Sequence, residues 1–482
     1  MKERPRWIIL TLLALAQFMV VLDTSVANVA LPAIQKTLGF DASTLQWVIT
    51  AYALTFGGTL LLGGRAADLF GRRRTLLFGI SGFTLISLLI GLSNSATLLI
   101  VLRALQGMSA AFMSPSALSI VLTTFREGKA RNTALGVWTA VAAGGAAAGL
   151  VVGGLLTEYL NWRWNFFVNV PVGIFAAIGI LKFVPPHSST ASHRHLDLPG
   201  ALLVTSGLMT LVYGLTEAPH WGWLSTGTLG FLATSLLLLV AFLWNESRAS
   251  HPLMPLTIFK IRNVAGANAI MTPIMASMLG MFFLLSLYIQ VVMKYAPVQA
   301  GIAFLPFPAM LAIISNTVPR LIPKYGYKRF LMIGTLLLAA GLVWLSQLTL
   351  SSSYVVGILP AITLMAAGMG MSFVSVNIAA TSGVPANEAG LASGMVNTSQ
   401  QMGGALGLAV LSGVATSVAQ GSANLGPVTA LLNGDKRAFL VASFFALAAF
   451  LIASFVIKEQ PRTAIQPASE PAPIHSAKAS PA

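Results

Sequence analysis

The chain has 482 residues, of which 56% are hydrophobic and 9% charged, and it contains no cysteine. Soluble domains carry about 25% charged residues, so this composition excludes a soluble fold and implies a multi-pass membrane protein. The missing cysteine excludes disulfides, thiolate catalysis and cysteine-held metals. A net charge of +15 would suit either nucleic acid or the cytoplasmic face of a membrane protein, and the placement of Lys and Arg decides between them.

Apolar stretches of about 20 residues predict spans near 7–30, 45–64, 75–95, 97–123, 133–157, 165–184, 199–217, 224–244, 264–292, 300–322, 329–349, 354–377, 389–418 and 438–457. The basic start MKERPRW precedes an apolar run too long for a signal peptide, so the first span is read as uncleaved. With the N-terminus inside, Lys and Arg gather in alternating connections: at 2–6, 65–74, 126–131, 182–194, 248–262, 320–329 and beyond 458. The opposite side holds Lys36, Arg163, Lys294, Lys436 and Arg437. This asymmetry predicts both termini in the cytoplasm. It also removes the nucleic-acid reading, because the charge is spread over short loops rather than gathered in one patch. Residues 1–184 read as a six-span bundle and 185–262 as a polar linker plus two extra spans. Residues 263–460 read as a second six-span bundle and 461–482 as a disordered Pro/Ala/Ser-rich tail.

Within the first span lies Asp23, in the stretch LDTSVANVALPAI at 22–34. A carboxylate at membrane depth costs roughly 2.5–3.5 kcal/mol on insertion scales and marks a proton, ion or substrate path. In span 4, LIVLRALQGMSAAF at 99–112 carries Arg103. At 1.5 Å per residue, Asp23 lies about 6 Å and Arg103 about 9 Å inside the same outer edge of a ~30 Å core. The one acid and the one base read as mid-span thus share a depth, and they are expected to couple directly or through a water. With a single mid-span carboxylate, a substrate cation and a proton are expected to compete for Asp23.

The connection at 63–75, GGRAADLFGRRRT, resembles the loop signature of the major facilitator superfamily. In that family the signature is a cytoplasmic conformational latch, a role the resemblance gives to Gly64, Asp68, Gly71, Arg72 and Arg73. Gly64 and Gly71 are expected to form tight turns where helices end. Ala66 stands where the family has a larger apolar residue. Residues 22–34 resemble the first-span signature of the fourteen-span drug:proton antiporters of that superfamily, where the Asp serves proton coupling or cation binding. Arg103 matches the fourth-span motif tied to proton transfer. In span 5, GVWTAVAAGGAAAGLVVGG at 136–154 spaces Gly145, Gly149 and Gly153 by four, with Gly154 adjacent, so one helix face admits close packing. This stretch resembles the exporter motif, with Leu150 replacing its Pro. NWRWNFFVNVPVG at 161–173 resembles the family's lead-in to span 6 and supplies interfacial aromatics. EAGLASGMVNTSQQMGGALG at 388–407 also resembles the family and offers secondary site residues: Asn397 and Gln401 share a helix face, and Glu388, a candidate second proton site, is placed at the cytoplasmic mouth and read rather as a gate or cap residue.

The resemblance implies an all-α polytopic membrane protein with the major facilitator fold: two six-helix bundles plus two extra central helices. It implies a monomer in the bacterial inner membrane that exports amphipathic, neutral or monocationic compounds in exchange for protons, by alternating access. The energy source is the proton gradient, with no cofactor and no metal, and no nucleotide-binding loop is present. A proton-linked carrier for one metabolite or one self-made antibiotic remains the alternative, kept open by Leu150. A membrane enzyme is disfavoured, because no nucleophile–base spacing or soluble output domain is found. The Met-rich stretch 271–281 reads as packing rather than the lining of a promiscuous pocket, and His187, His193 and His195 as solvated loop residues rather than metal ligands.

Overall fold

Backbone N–H and C=O groups inside a bilayer have no water to bond, so each apolar run closes its hydrogen bonds within itself as a helix. The computed structural model describes residues 3–125, 129–186, 197–249, 252–254, 256–384 and 389–459. Long helices run in chain order as α1 (Glu3–Leu38), α2 (Trp47–Phe70), α3 (Arg72–Leu92), α4 (Ala96–Thr124), α5 (Lys129–Tyr159), α6 (Asn169–Phe183), α7 (Leu198–Trp221) and α8 (Thr226–Arg248). They continue as α9 (Arg262–Leu287), α10 in two pieces (Pro297–Phe304 and Pro306–Tyr325), α11 (Tyr327–Leu345), α12 (Leu359–Thr381), α13 (Ala389–Gly421) and α14 (Pro427–Phe455). Thirteen of the described helical segments are long and apolar enough to cross a membrane. The chain is therefore a multi-pass membrane protein. His187, His193 and His195, Glu388 and the predicted tail lie outside the described residues.

Helices α1–α6 pack among themselves, as do α9–α14, while α7 and α8 form a hairpin against α2 and α13. The two halves repeat a local device. Gly71 (φ 94°) is the single residue between α2 and α3, and Gly326 (φ 80°) is the single residue between α10 and α11. Both occupy a backbone region that glycine alone enters cheaply. Two residues further on, Arg73 donates to the carbonyl of Leu181 near the end of α6 at 2.5 Å. Lys328 donates to the carbonyl of Ser454 near the end of α14 at 2.7 Å. In each half a cation thus satisfies a carbonyl at the C-terminus of the sixth helix, where the helix dipole favours positive charge.

Two boundaries differ from expectation. Gly64 lies inside α2 rather than at its end, since the helix continues to Phe70. The last span begins at Pro427 rather than 438, because Gly426 (φ 90°) and Pro427 start a helix that carries Asp435, Lys436 and Arg437 within it. Met271, Met278 and Met281 are buried in the core of the second half, as read from sequence.

The halves meet at the end opposite the basic loops. Ser286 donates to the carbonyl of Asn28 at 3.0 Å and Gln290 to that of Val29 at 3.1 Å. Glu158 accepts from the backbone N–H of Val298 at 3.0 Å. A Cβ at Gly154 would lie 2.7 Å from the Pro297 oxygen, so α5 and α10 touch backbone to backbone there. Gly136 is five helical turns earlier on the same face of α5. It is exposed, and a Cβ there would have nothing within 4 Å. The halves therefore close at one end and diverge along α5 toward the basic loops.

Candidate functional site

Asp23 on α1 is fully buried (0% exposed), and Arg103 on α4 is 1% exposed. The two form a direct ion pair, with Arg103 Nη1 2.5 Å from Asp23 Oδ2. The depth argument from sequence thus resolves to direct contact. The other carboxylate oxygen, Oδ1, accepts from Gln106 Nε2 at 2.9 Å and from Asn169 Nδ2 at 3.0 Å. Gln106 Oε1 in turn accepts from Arg103 Nη1 at 2.5 Å, and Gln106 Nε2 also donates to Ser87 Oγ at 2.8 Å. Arg103 Nε donates to the carbonyl of Val48 on α2 at 2.8 Å, and its guanidinium lies 4.4 Å over the Tyr52 ring. The Phe166 ring lies 5.7 Å from the same guanidinium. Five helices, together with the short turn that carries Phe166, converge on one charge pair. A buried pair is tolerated only when its remaining lone pairs and protons are satisfied in this way.

Gln106, Asn169, Ser87 and Tyr52 escaped the sequence reading. Gln106 was findable, because it lies three residues from Arg103 and so on the same helix face. Asn169 belongs to the 161–173 segment that was read for its aromatics. Two polar atoms beside the pair, Tyr52 Oη and Asn169 Oδ1, are buried without a protein partner. Such atoms are where a proton-bearing water or a moving donor finds a place.

The geometry shows the carboxylate that the sequence offers to a drug cation paired with Arg103. The carboxylate sits inside the first bundle and is filled by three donors, so a cation could reach it only after Arg103 had moved. The geometry corrects the idea of one mid-span acid. Asp435 on α14 is 0% exposed, and neither carboxylate oxygen has a hydrogen-bond partner. Lys436 and Arg437, next in sequence, made this stretch read as an outside loop.

The predicted glycine stripe is in place. A Cβ at Gly149 would come 2.6 Å from Ser25 Cβ, and one at Gly153 would come 2.8 Å from Val26 Cα. At Gly145 the nearest atom, on Phe18, would be 3.2 Å away. These three glycines seat α5 on the segment of α1 that carries Asp23. Gly154 turns to α10, and so does Leu150, whose carbonyl packs against Gly301. In the loop signature, Gly71 makes the turn and Arg73 ties α3 to α6. Arg72 opens α3. Gly64 has ordinary space, 3.9 Å to Pro115. The tight position is its neighbour Gly63, which packs on the Ala111 carbonyl. The side chain of Asp68 lies outside the described residues. Gln401 packs against Gly57 of α2 across the seam between the halves, whereas Asn397, on the same face of α13, is half-buried.

Two packed helical halves touch at one end, and the first holds an ion pair buried in its interior, the architecture of a multi-pass membrane protein with a charged centre. The family model of the Major Facilitator Superfamily matches residues 13–408, and the chain belongs to that superfamily. It is 42% identical to the puromycin resistance protein pur8 of Streptomyces alboniger, over 93% of this chain and 90% of that protein. It is 41% identical to the cephamycin export protein CmcT of Amycolatopsis lactamdurans, over 86% of each. The crystal structure of the POT family transporter PepTSo superposes with a TM-score of 0.69 at 16% identity, covering 94% of this chain and 99% of that one.

Proposed function

We propose that the protein is a proton-coupled exporter of amphipathic compounds in the bacterial cell membrane, with both termini cytoplasmic. The buried Asp23–Arg103 pair carries this reading, because it joins a titratable group to the helix that faces the other half of the molecule. The Lys and Arg asymmetry supports the orientation, and relatives named for antibiotic resistance and export support the direction and the substrate class.

Protonation of Asp23 would remove the charge that holds Arg103. The guanidinium would then redistribute toward Gln106 and the Val48 carbonyl, and its stacking on Tyr52 would carry that change into α2. Helix α2 meets α13 at Gly57 and Gln401, so the proton biases the arrangement of the halves. In this scheme substrate and proton couple through conformation, and direct exchange at one carboxylate is not needed. In this orientation the end joined by Glu158 and Val298 faces outward.

The test is puromycin uptake by inside-out vesicles. An acid-inside gradient should drive it in wild type, and Asp23→Asn should lose the gradient-driven part. Equal uptake by both, or uptake that ignores the gradient, would reject the proposal. A second reading, one dedicated compound rather than many, is favoured by relatives each named after a single antibiotic. A panel of neutral and monocationic amphiphiles separates the two, since a dedicated carrier moves one member alone.

A further inference from the structure

Asp435 lies in the half of the molecule that the Asp23–Arg103 pair does not occupy, about 12 Å along α14 from Pro427 at the closed end. It is fully buried, and neither carboxylate oxygen has a hydrogen-bond partner. Among the described residues no cation faces it. Lys436 is half-buried and Arg437 exposed, about 100° and 200° further round the helix. Helices α9, α11 and α13 pack against α14. Arg262 of α9 and Tyr327, Lys328 and Arg329 of α11 sit at the far, basic end, and α13 carries no titratable residue. Where α14 meets the turn that ends α9, the Asp435 charge acts on Tyr288. A Cβ at the neighbouring Gly434 would press on the Ala415 carbonyl, so α14 and α13 touch backbone to backbone beside the acid.

The turn at Tyr288 has its own geometry. Tyr288–Val292 is a π-type turn, closed where the Met293 N–H donates to the Tyr288 carbonyl at 3.1 Å, and Lys294 follows, exposed, at φ 59°. Such widened turns gather at functional sites, and a positive φ is uncommon outside glycine. On one side of the turn, Ser286 and Gln290 hold the first half through the carbonyls of Asn28 and Val29. Tyr288 is two residues from each and so on the opposite side, where its hydroxyl donates to the Thr349 carbonyl at 2.7 Å. One short segment thus joins the contacts that close the halves to the buried acid. Toward the basic end, Ala438, Phe439 and Ala442 follow Asp435 on the same face of α14, all buried and apolar.

We propose that Asp435 is a proton site that controls closure of this end: it takes a proton from the water there while the end is open, and is buried as the neutral acid when the end closes. An isolated carboxylate is too costly to bury, so the end closes only over the protonated form. Ionised, Asp435 would draw the Tyr288 hydroxyl from Thr349, and the turn would loosen its hold on Asn28 and Val29. The proton returns to the same water on reopening, because Ala438, Phe439 and Ala442 offer it no acceptor. The site adds pH control to one step and no proton to the exchange count. In the orientation proposed above that water is extracellular, and only this assignment of side rests on the export reading.

The closed form holds one more proton than the open form, so raising the pH favours opening, by up to about tenfold in the open-to-closed ratio per pH unit. Nitroxides at Lys36→Cys and Leu425→Cys, both exposed near the closed end on opposite halves, report that ratio as a long and a short distance in the full chain in lipid nanodiscs. Asp23→Asn serves as the parent, which removes the titration of the first proton site. The parent should move from the short to the long distance as the buffer is made alkaline. Asp435→Asn, neutral at every pH, should stay at the short distance. Tyr288→Phe keeps the ring without the hydroxyl and should show a smaller response. A response in Asp435→Asn equal to the parent's, no response in the parent, or a full response in Tyr288→Phe would overturn the proposal. Neither substrate nor gradient enters the measurement, so failure of the export reading shows in the vesicle assay alone.

Discussion

Arg103→Gln leaves the Asp23 carboxylate buried with its cation gone, a change that costs about 3–5 kcal/mol in comparable buried pairs. Adding Asp23→Asn removes the stranded charge, so the double variant should unfold at a higher temperature than Arg103→Gln alone. Thermal unfolding of the four proteins in one detergent checks this, and simple additivity would mean that the pair is not coupled. Asp435→Asn should behave in the opposite way to Asp23→Asn. It replaces an unpartnered buried carboxylate by a neutral isostere and should raise stability by about 1 kcal/mol or more. A large loss of stability there would show that the carboxylate has a partner. Asp23 and Arg103 were legible in the sequence because each interrupts an apolar run, and helix rise alone gave them a common depth. Asp435 was not legible, since its burial depends on packing by other helices, which no local pattern encodes.

At the scale of the helix, glycines divide into those that carry packing and those that do not. Gly153→Val forces a branched side chain into the Val26 backbone and should separate α1 from α5, with loss of folded protein. Gly64→Ala should be nearly neutral for stability, whereas Gly63→Ala should be strongly destabilising, because only the latter meets the Ala111 carbonyl. Size-exclusion profiles and melting temperatures of the two alanine variants decide the point, and the reverse order would contradict the packing. The four-residue spacing announced the α5 stripe in advance, since one helix face is fixed by period alone. Sequence could not tell Gly63 from Gly64, because which of two adjacent glycines faces α4 depends on the rotation of α2. Periodicity likewise placed the body of the last helix but not its start. The run Asp435, Lys436, Arg437 looks like a loop until Gly426 and Pro427 are seen to begin the helix earlier.

Across the whole molecule, α1 and α9, and α5 and α10, close one end while α5 diverges from α10 toward the other. The chain contains no cysteine, so the closure can be tested on a clean background. Glu158→Cys with Val298→Cys, joined by a short bifunctional thiol reagent, should arrest transport, and a reductant should restore it. Transport by the cross-linked protein would mean that this end does not open in the cycle. The two-halved plan and the span positions were readable from hydropathy and loop charge. The closed end was not, because it depends on contacts between residues more than a hundred positions apart, such as Glu158 with Val298. The central claim is that substrate and proton share one conformational equilibrium through Asp23 and Arg103. Puromycin added to the purified protein in weakly buffered solution tests it most directly. Wild type should release protons in proportion to puromycin bound, and Asp23→Asn should bind puromycin with no release. Proton release by Asp23→Asn equal to wild type, or none by either protein, would contradict the account.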